Sequence, residues 1–188
     1  MDIIMIRHGE TEDNLLKVYS RDSTSLTEKG ICEIIRAKDI LKEFNYEEIY
    51  YSPLKRTVET LSHLGLKGME ESRIREINFG IFTGKTFYEI SEIYPEETKL
   101  WLSDINNYEI PQGESLFTVY KRVCEFLEEL CKLDKDVLLV THDCVIRLAL
   151  CWVFDNLKYF FRFRVDNGSI SAISINKGFK YMRKLNLM

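Results

Sequence analysis

Basic residues are in short supply in this chain, and that removes one broad class of function. Its 188 residues carry 26 Lys and Arg against 30 Asp and Glu, a formal net charge of −4. Wholesale nucleic-acid binding needs a positive excess, so it is not expected. Any positive charge that matters must be gathered in a pocket. Long apolar runs are missing too; none approaches the about 20 residues a membrane span needs. The first strand-like run begins at Ile3, so no secretory leader is expected. Low-complexity tracts, long linkers and internal repeats are absent, and only three prolines punctuate the chain. The length suits one sizeable core and is short for two ordinary domains, so a single domain over 1–188 is expected. Cysteines number five (Cys32, Cys124, Cys131, Cys144, Cys151), with no Cys-x-x-Cys among them. Two pairs lie seven residues apart, the spacing of one helix face, and all five read as small buried hydrophobes. With no leader expected, a reducing, cytoplasmic setting is expected too.

What is present is a pair of apolar runs that each end in histidine. Ile3-Ile4-Met5-Ile6 closes in Arg7-His8-Gly9-Glu10-Thr11, and Val137-Leu138-Leu139-Val140 closes in Thr141-His142. The chain has only three histidines, so two of them terminate strand-like runs. In open α/β sheets the C-terminal strand ends are where ligands bind.

Between these runs, Gly9 to Ser25 reads as a polar loop. Thr27 is an N-cap for a helix with Ile31, Ile34, Ile35, Leu41 and Phe44 on one face. Ile49-Tyr50-Tyr51 is a short strand, and Ser52-Pro53 reads as a helix start with Ser as cap and Pro at the first helical position. That puts Arg56 near the positive end of the new helix. Ile74 to Gly84 is a loop bearing Arg75 and Glu76. Helical stretches follow at 87–94 and 97–104, broken by Pro95. A turn at Pro111-Gln112-Gly113 leads to a long helix capped by Ser115, with Leu116, Val119, Val123, Phe126, Leu127 and Leu130 as its apolar face. A helix spans Cys144 to Val153, and the tail from Ile170 to Leu185 holds a hairpin turn at Asn176-Lys177-Gly178. The alternation predicts an α/β three-layer sandwich with a mostly parallel sheet. The helical insertion, about 77–114, is expected to lie over the strand ends as a small cap.

Arg7, Arg56, His8 and His142 together offer positive charge and several donors to a compact dianion. Arginine forks match phosphate oxygens bidentately, and neutral imidazole is a nucleophile near pH 7. In-line phosphoryl transfer asks mainly for positioning and charge neutralisation, which these groups supply without a metal. A zinc site lacks the His-x-x-x-His or His-x-His spacing it would use, and Glu10 could join His8 only awkwardly. No metal or cofactor is called for. Glu76, flanked by apolar Ile74, Ile77 and Phe79, is the best candidate proton donor to a leaving oxygen. A surface Glu paired with Arg75 is the competing reading of the same pattern.

The motifs resemble one family through nearly the whole chain. Arg7-His8-Gly9-Glu10-Thr11 with Asn14, Leu26-Thr27-x-x-Gly30 and Ser52-Pro53-Leu54-Lys55-Arg56-Thr57 are similar to the signature of the histidine phosphatase superfamily, the phosphoglycerate mutase-like fold. Glu76-x-x-Phe79-Gly80, Gly113-Glu114-Ser115 with Arg122-Val123, Thr141-His142 and Asp166-Asn167-Gly168-Ser169 continue it. The resemblance implies a phosphohistidine on His8. Arg7, Asn14, Arg56 and His142 would hold the phosphoryl group, and Glu76 would protonate the leaving oxygen. Within the family the chain looks most like bacterial α-ribazole-phosphate phosphatases of cobalamin biosynthesis, which implies a small phosphate ester as partner. A cofactor-dependent phosphoglycerate mutase and a non-catalytic phospho-ligand binder are the rival expectations. Two departures stand out. Asp143-Cys144 follows the second histidine where relatives carry Gly-Gly or Gly-Asn, setting a carboxylate beside an anion pocket. Ser20, Ser23 and Ser25 replace the Gly, Asp and Pro of a loop that borders that pocket.

Overall fold

A computed structural model describes residues 1–188, and its centre is a six-stranded sheet. The strands are β1 (Asp2–Arg7), β2 (Glu48–Tyr51), β3 (Met69–Glu70), β4 (Val137–Thr141), β5 (Ile170–Asn176) and β6 (Phe179–Leu187), in the order β3-β2-β4-β1-β5-β6. β1 to β4 are parallel, and β5 runs antiparallel to both β1 and β6. Alternation along β1 explains the layers, because successive side chains point to opposite faces. Ile4 and Ile6 pack with Leu138 and Val140 under α2 (Glu28–Leu41) and α3 (Lys55–Leu64). Ile3 and Met5 pack with Val137 and Leu139 under α6 (Leu116–Leu133) and α7 (Asp143–Val153). Both faces are covered, so the central strands read as continuous apolar runs. The insertion holds α4 (Phe87–Ile93) and α5 (Pro95–Ser103), with a small core of Phe82, Ile90 and Ile110 packed against Tyr19, Phe79, Tyr94 and Trp101.

Several details depart from the sequence expectations. The 9–25 loop contains α1 (Glu12–Leu16), one short turn made possible by a capping box between Thr11 and Asn14. Ser52 does not cap α3. The helix begins at Lys55 with Leu54 in the cap position, and the Ser52 hydroxyl is engaged by His142. Ile35 is exposed, whereas Ile34, Ala37 and Leu41 carry the buried stripe of α2. Cys144 and Cys151 are buried and Cys124 and Cys131 half-buried, but Cys32 is exposed and is no core residue. The hairpin turn between β5 and β6 has positive φ at Lys177 and Gly178 (49° and 80°), as a primed two-residue turn requires.

Two glycines place the first histidine loop. A Cβ on Gly9 would sit 2.3 Å from the Gly30 carbonyl oxygen, and one on Gly30 would sit 2.1 Å from that of Glu10. Only mutual glycine lets the chain after His8 press against the first turn of α2.

Candidate active site

The strand register sets the site. Arg7 lies beside Thr141 and Tyr51 beside Val140, so β1, β2 and β4 end together. His8, Ser52 and His142 therefore emerge side by side at one sheet edge. The His8 backbone N–H donates to the Thr141 carbonyl (3.0 Å), and the Ser52 N–H donates to that of Val140 (3.0 Å).

His8 is 2% exposed, and its ring has a defined tautomer. Nδ1 lies 2.7 Å from the Gly9 carbonyl, which can only accept, so Nδ1 carries the proton. Nε2 is then a bare lone pair, and Arg56 Nε donates to it at 3.2 Å. Burial, and next the charges of Arg56 and Arg7, hold the imidazole well below its usual pKa. This is a neutral nitrogen nucleophile surrounded by cations.

Arg56 itself is 1% exposed, in the first turn of α3. Its Nη1 donates to the Arg21 carbonyl at 3.0 Å. That loop is held by buried Asp13, which accepts from the Arg21 backbone (2.7 Å) and guanidinium (2.9 Å). The serine-rich loop thus serves as the arginine's backstop. Arg7 donates through Nη1 to the Val165 carbonyl at 2.6 Å, while its Nε is buried without a partner. His142, fully buried, has a ring centroid 5.3 Å from that of His8. Its Nε2 meets Ser52 Oγ at 2.7 Å, and its Nδ1 is likewise buried without a partner. Buried polar groups are normally paired, so these two orphans in side chains flanking His8 fit a site that accepts an anion. Burial, and then Arg56, also keep His142 well below the usual imidazole value.

Asn14 spends its Oδ1 on the Thr11 N–H and on Asn167 Nδ2, both at 3.1 Å. Its NH2 is what remains to meet an anion. Glu76 is half-buried, with Oε1 accepting from the Ile77 N–H at 3.0 Å. Burial raises its pKa; Arg56 opposes this and Asp143 adds to it. Arg75 is not its partner: it pairs with Asp22 at 2.7 Å. Glu10 faces away from His8, accepting from Lys29 (2.6 Å) and Thr27 (3.0 Å). No three His, Cys, Asp or Glu side chains gather into a metal-ligand set.

Two cavities meet at Glu76. One, of about 270 Å³, is lined by Tyr19, Ile77, Phe79, Trp101, Ile105, Leu116, Phe160 and Phe161, with Asp143 and Arg147 at its polar side. Arg147 Nε lies 2.9 Å from Asp143, so the carboxylate next to His142 is neutralised by its own helix. The other, of about 310 Å³, has no apolar lining; Asp22, Ser72, Arg75, Asn78, Glu114 and Arg122 surround it.

Arg122 is a residue that sequence reasoning did not assign to the site. Its Nη1 donates to the carbonyls of Arg73 (2.6 Å) and Arg75 (2.8 Å), and Nη2 to that of Glu76 (3.3 Å). Glu114 holds the same guanidinium at 2.9 and 3.0 Å. This clamp fixes the loop that bears Glu76. Glu114 is eight residues away, but the three loop carbonyls lie 46 to 49 residues upstream, so no local pattern shows the grip on the Glu76 loop.

The chain is similar to known proteins over nearly its whole length. The family profile of the histidine phosphatase superfamily (branch 1) matches residues 3–188. Phosphoserine phosphatase 1 of Hydrogenobacter thermophilus is 33% identical, over 98% of this chain and 92% of that protein. The adenosylcobalamin/alpha-ribazole phosphatase of Salmonella typhimurium is 28% identical over 99% and 96%. The crystal structure of the alpha-ribazole phosphatase from Shigella flexneri superposes with a TM-score of 0.90 at 29% identity, over 99% and 96% of the two chains.

Proposed function

The protein belongs to the histidine phosphatase superfamily and is a phosphoric monoester hydrolase, and on that footing we propose a reaction carried by His8 with a bulky, apolar leaving alcohol. Nε2 of His8 attacks phosphorus in line, forming the N–P bond as the ester P–O bond breaks. Arg7, Arg56, the His142 ring and the Asn14 amide hold the non-bridging oxygens, where charge must be neutralised. Glu76, whose pKa burial raises, gives its proton to the departing oxygen. A water molecule then takes the leaving group's place and passes a proton back to Glu76 as the N–P bond breaks. Inorganic phosphate leaves. No step draws on a metal or cofactor.

The observation that carries the reading is the His8 ring, with its proton committed to the Gly9 carbonyl and its lone pair facing Arg56. The polar cavity supports water as acceptor, because Glu76 lines it as well as the apolar one. A mutase would need to exclude that water. The apolar cavity, rich in aromatic side chains, suits a flat aromatic leaving group. Of the substrates named for the relatives, α-ribazole phosphate, a benzimidazole nucleotide, fits it better than phosphoserine, a small zwitterion. The test is a comparison of kcat/KM for α-ribazole 5'-phosphate, phosphoserine and 3-phosphoglycerate, with phosphate release measured directly. The highest value for α-ribazole 5'-phosphate is expected. A preference for phosphoserine would overturn the leaving-group assignment, and isomerisation of 3-phosphoglycerate outpacing phosphate release would favour the mutase.

A further inference from the structure

The Ser52 hydroxyl is fully buried and has few partners. Oγ accepts weakly from the Leu54 N–H (3.4 Å) and lies 2.7 Å from His142 Nε2. No other hydrogen-bond acceptor faces it. A buried hydroxyl proton left without an acceptor costs about 1–3 kcal/mol, so the proton belongs on the bond to Nε2. Nε2 is then the accepting nitrogen, and the ring of a neutral His142 carries its proton on Nδ1. Nδ1 is the atom buried with no protein partner.

We propose that Ser52 is a positioning residue that sets the tautomer of His142, so that an uncharged imidazole presents an N–H donor to the phosphoryl oxygens. The two histidines then share one tautomer but turn opposite nitrogens to the site: His8 its bare Nε2 as nucleophile, His142 its protonated Nδ1 as donor. The alternative tautomer would aim a lone pair at an anion and strand the serine proton. The placement is built into the sheet. Ser52 follows β2, His142 follows neighbouring β4, and the Ser52 backbone is tied to both sides by the Val140 carbonyl and by Thr57 Oγ1, which donates to the Ser52 carbonyl at 2.8 Å. His142 also occupies the cap position of α7 without making a side-chain cap bond, leaving its ring free for Ser52. This inference rests on the phosphohistidine reading for its catalytic meaning, though not for the tautomer itself.

The test is long-range proton–nitrogen correlation on protein labelled with 15N-histidine at pH 7.5. The chain has three histidines, and His63 is exposed, so the two buried rings stand apart. Wild type should show both His8 and His142 neutral and protonated at Nδ1. In Ser52→Ala, His142 should move to the Nε2–H tautomer with His8 unchanged, which also reports that the site is still folded. Turnover should fall about 10²-fold, the scale of losing one oxyanion donor. Ser52→Thr, which keeps the hydroxyl, should retain the wild-type tautomer and most of the activity. A wild-type His142 protonated at Nε2, or a Ser52→Ala ring still protonated at Nδ1, overturns the proposal and leaves the phosphohistidine untouched. Failure to trap a phosphoenzyme with both tautomers as expected would overturn the catalytic reading alone.

Discussion

Replacing Glu76 with Gln separates chemistry from folding. Gln keeps the size and an oxygen for the Ile77 N–H, and removes only the transferable proton. General acid catalysis contributes about 10²–10⁴-fold, or about 3–5.5 kcal/mol at 1.36 kcal/mol per decade. Alkyl phosphates, whose alkoxides leave poorly, should lose that much in kcat/KM. Para-nitrophenyl phosphate should lose far less, because its leaving group needs little protonation. In wild type, the alkyl-ester rate should fall as pH rises through the raised Glu76 pKa. Stability should move the same way. Glu76 has a higher pKa folded than unfolded, so its contribution is fully present below the unfolded carboxylate value of about 4.3 and is lost as pH rises through the folded one. Glu76→Gln should therefore melt above wild type at pH 8 and show no such gain at pH 4. The assay is kcat/KM across leaving groups of graded pKa, with thermal melts at both pH values. Equal losses for aryl and alkyl esters would refute the acid assignment, and so would loss of turnover in Asp143→Asn with Glu76→Gln unharmed.

Arg122→Met should lower stability by about 3 kcal/mol, since three loop carbonyls and Glu114 lose a charged donor that is 18% exposed. For a chain of this size that is a melting-temperature drop of about 6–12 °C, and the residual activity should spare aryl over alkyl esters, because the clamp holds Glu76. Trp101→Ala, which opens the apolar cavity, should reduce kcat/KM for α-ribazole 5'-phosphate more than for phosphoserine; equal losses would argue against an aromatic leaving-group site. His8 and His142 both have lowered pKa values when folded, so the unfolded chain protonates first and stability should fall as pH drops below about 6.5. Urea titrations from pH 7.5 to 5 should show that slope, reduced in His142→Gln; an unchanged slope would place the proton uptake elsewhere.

The layered fold was legible because its signals are local. Buried strands read as apolar runs, and α2 and α6 announce themselves through Thr27, Ser115 and a stripe of period 3.6. Both histidine-terminated strands also placed the site at one sheet edge. What escaped was set by distant partners. Ser52-Pro53 has the pattern of a helix cap, but the serine is taken by a ring 90 residues away, and the helix begins later. β3 is two exposed residues held by β2 alone, too short to carry any period. Ile35 fell on the predicted face of α2, yet the stripe that meets the sheet runs through Ile34, Ala37 and Leu41. Arg122 stands within one of the motifs, but its grip on the Glu76 loop exists only across the tertiary fold.

The central claim is a covalent phosphohistidine on His8, and rapid quench with 32P-labelled substrate tests it most directly. The account predicts a phosphoenzyme that is labile in acid, stable in base, formed and lost at rates consistent with turnover, mapped to His8 and absent in His8→Ala. Turnover in His8→Ala at the wild-type rate, or label mapped to a different residue, would contradict it.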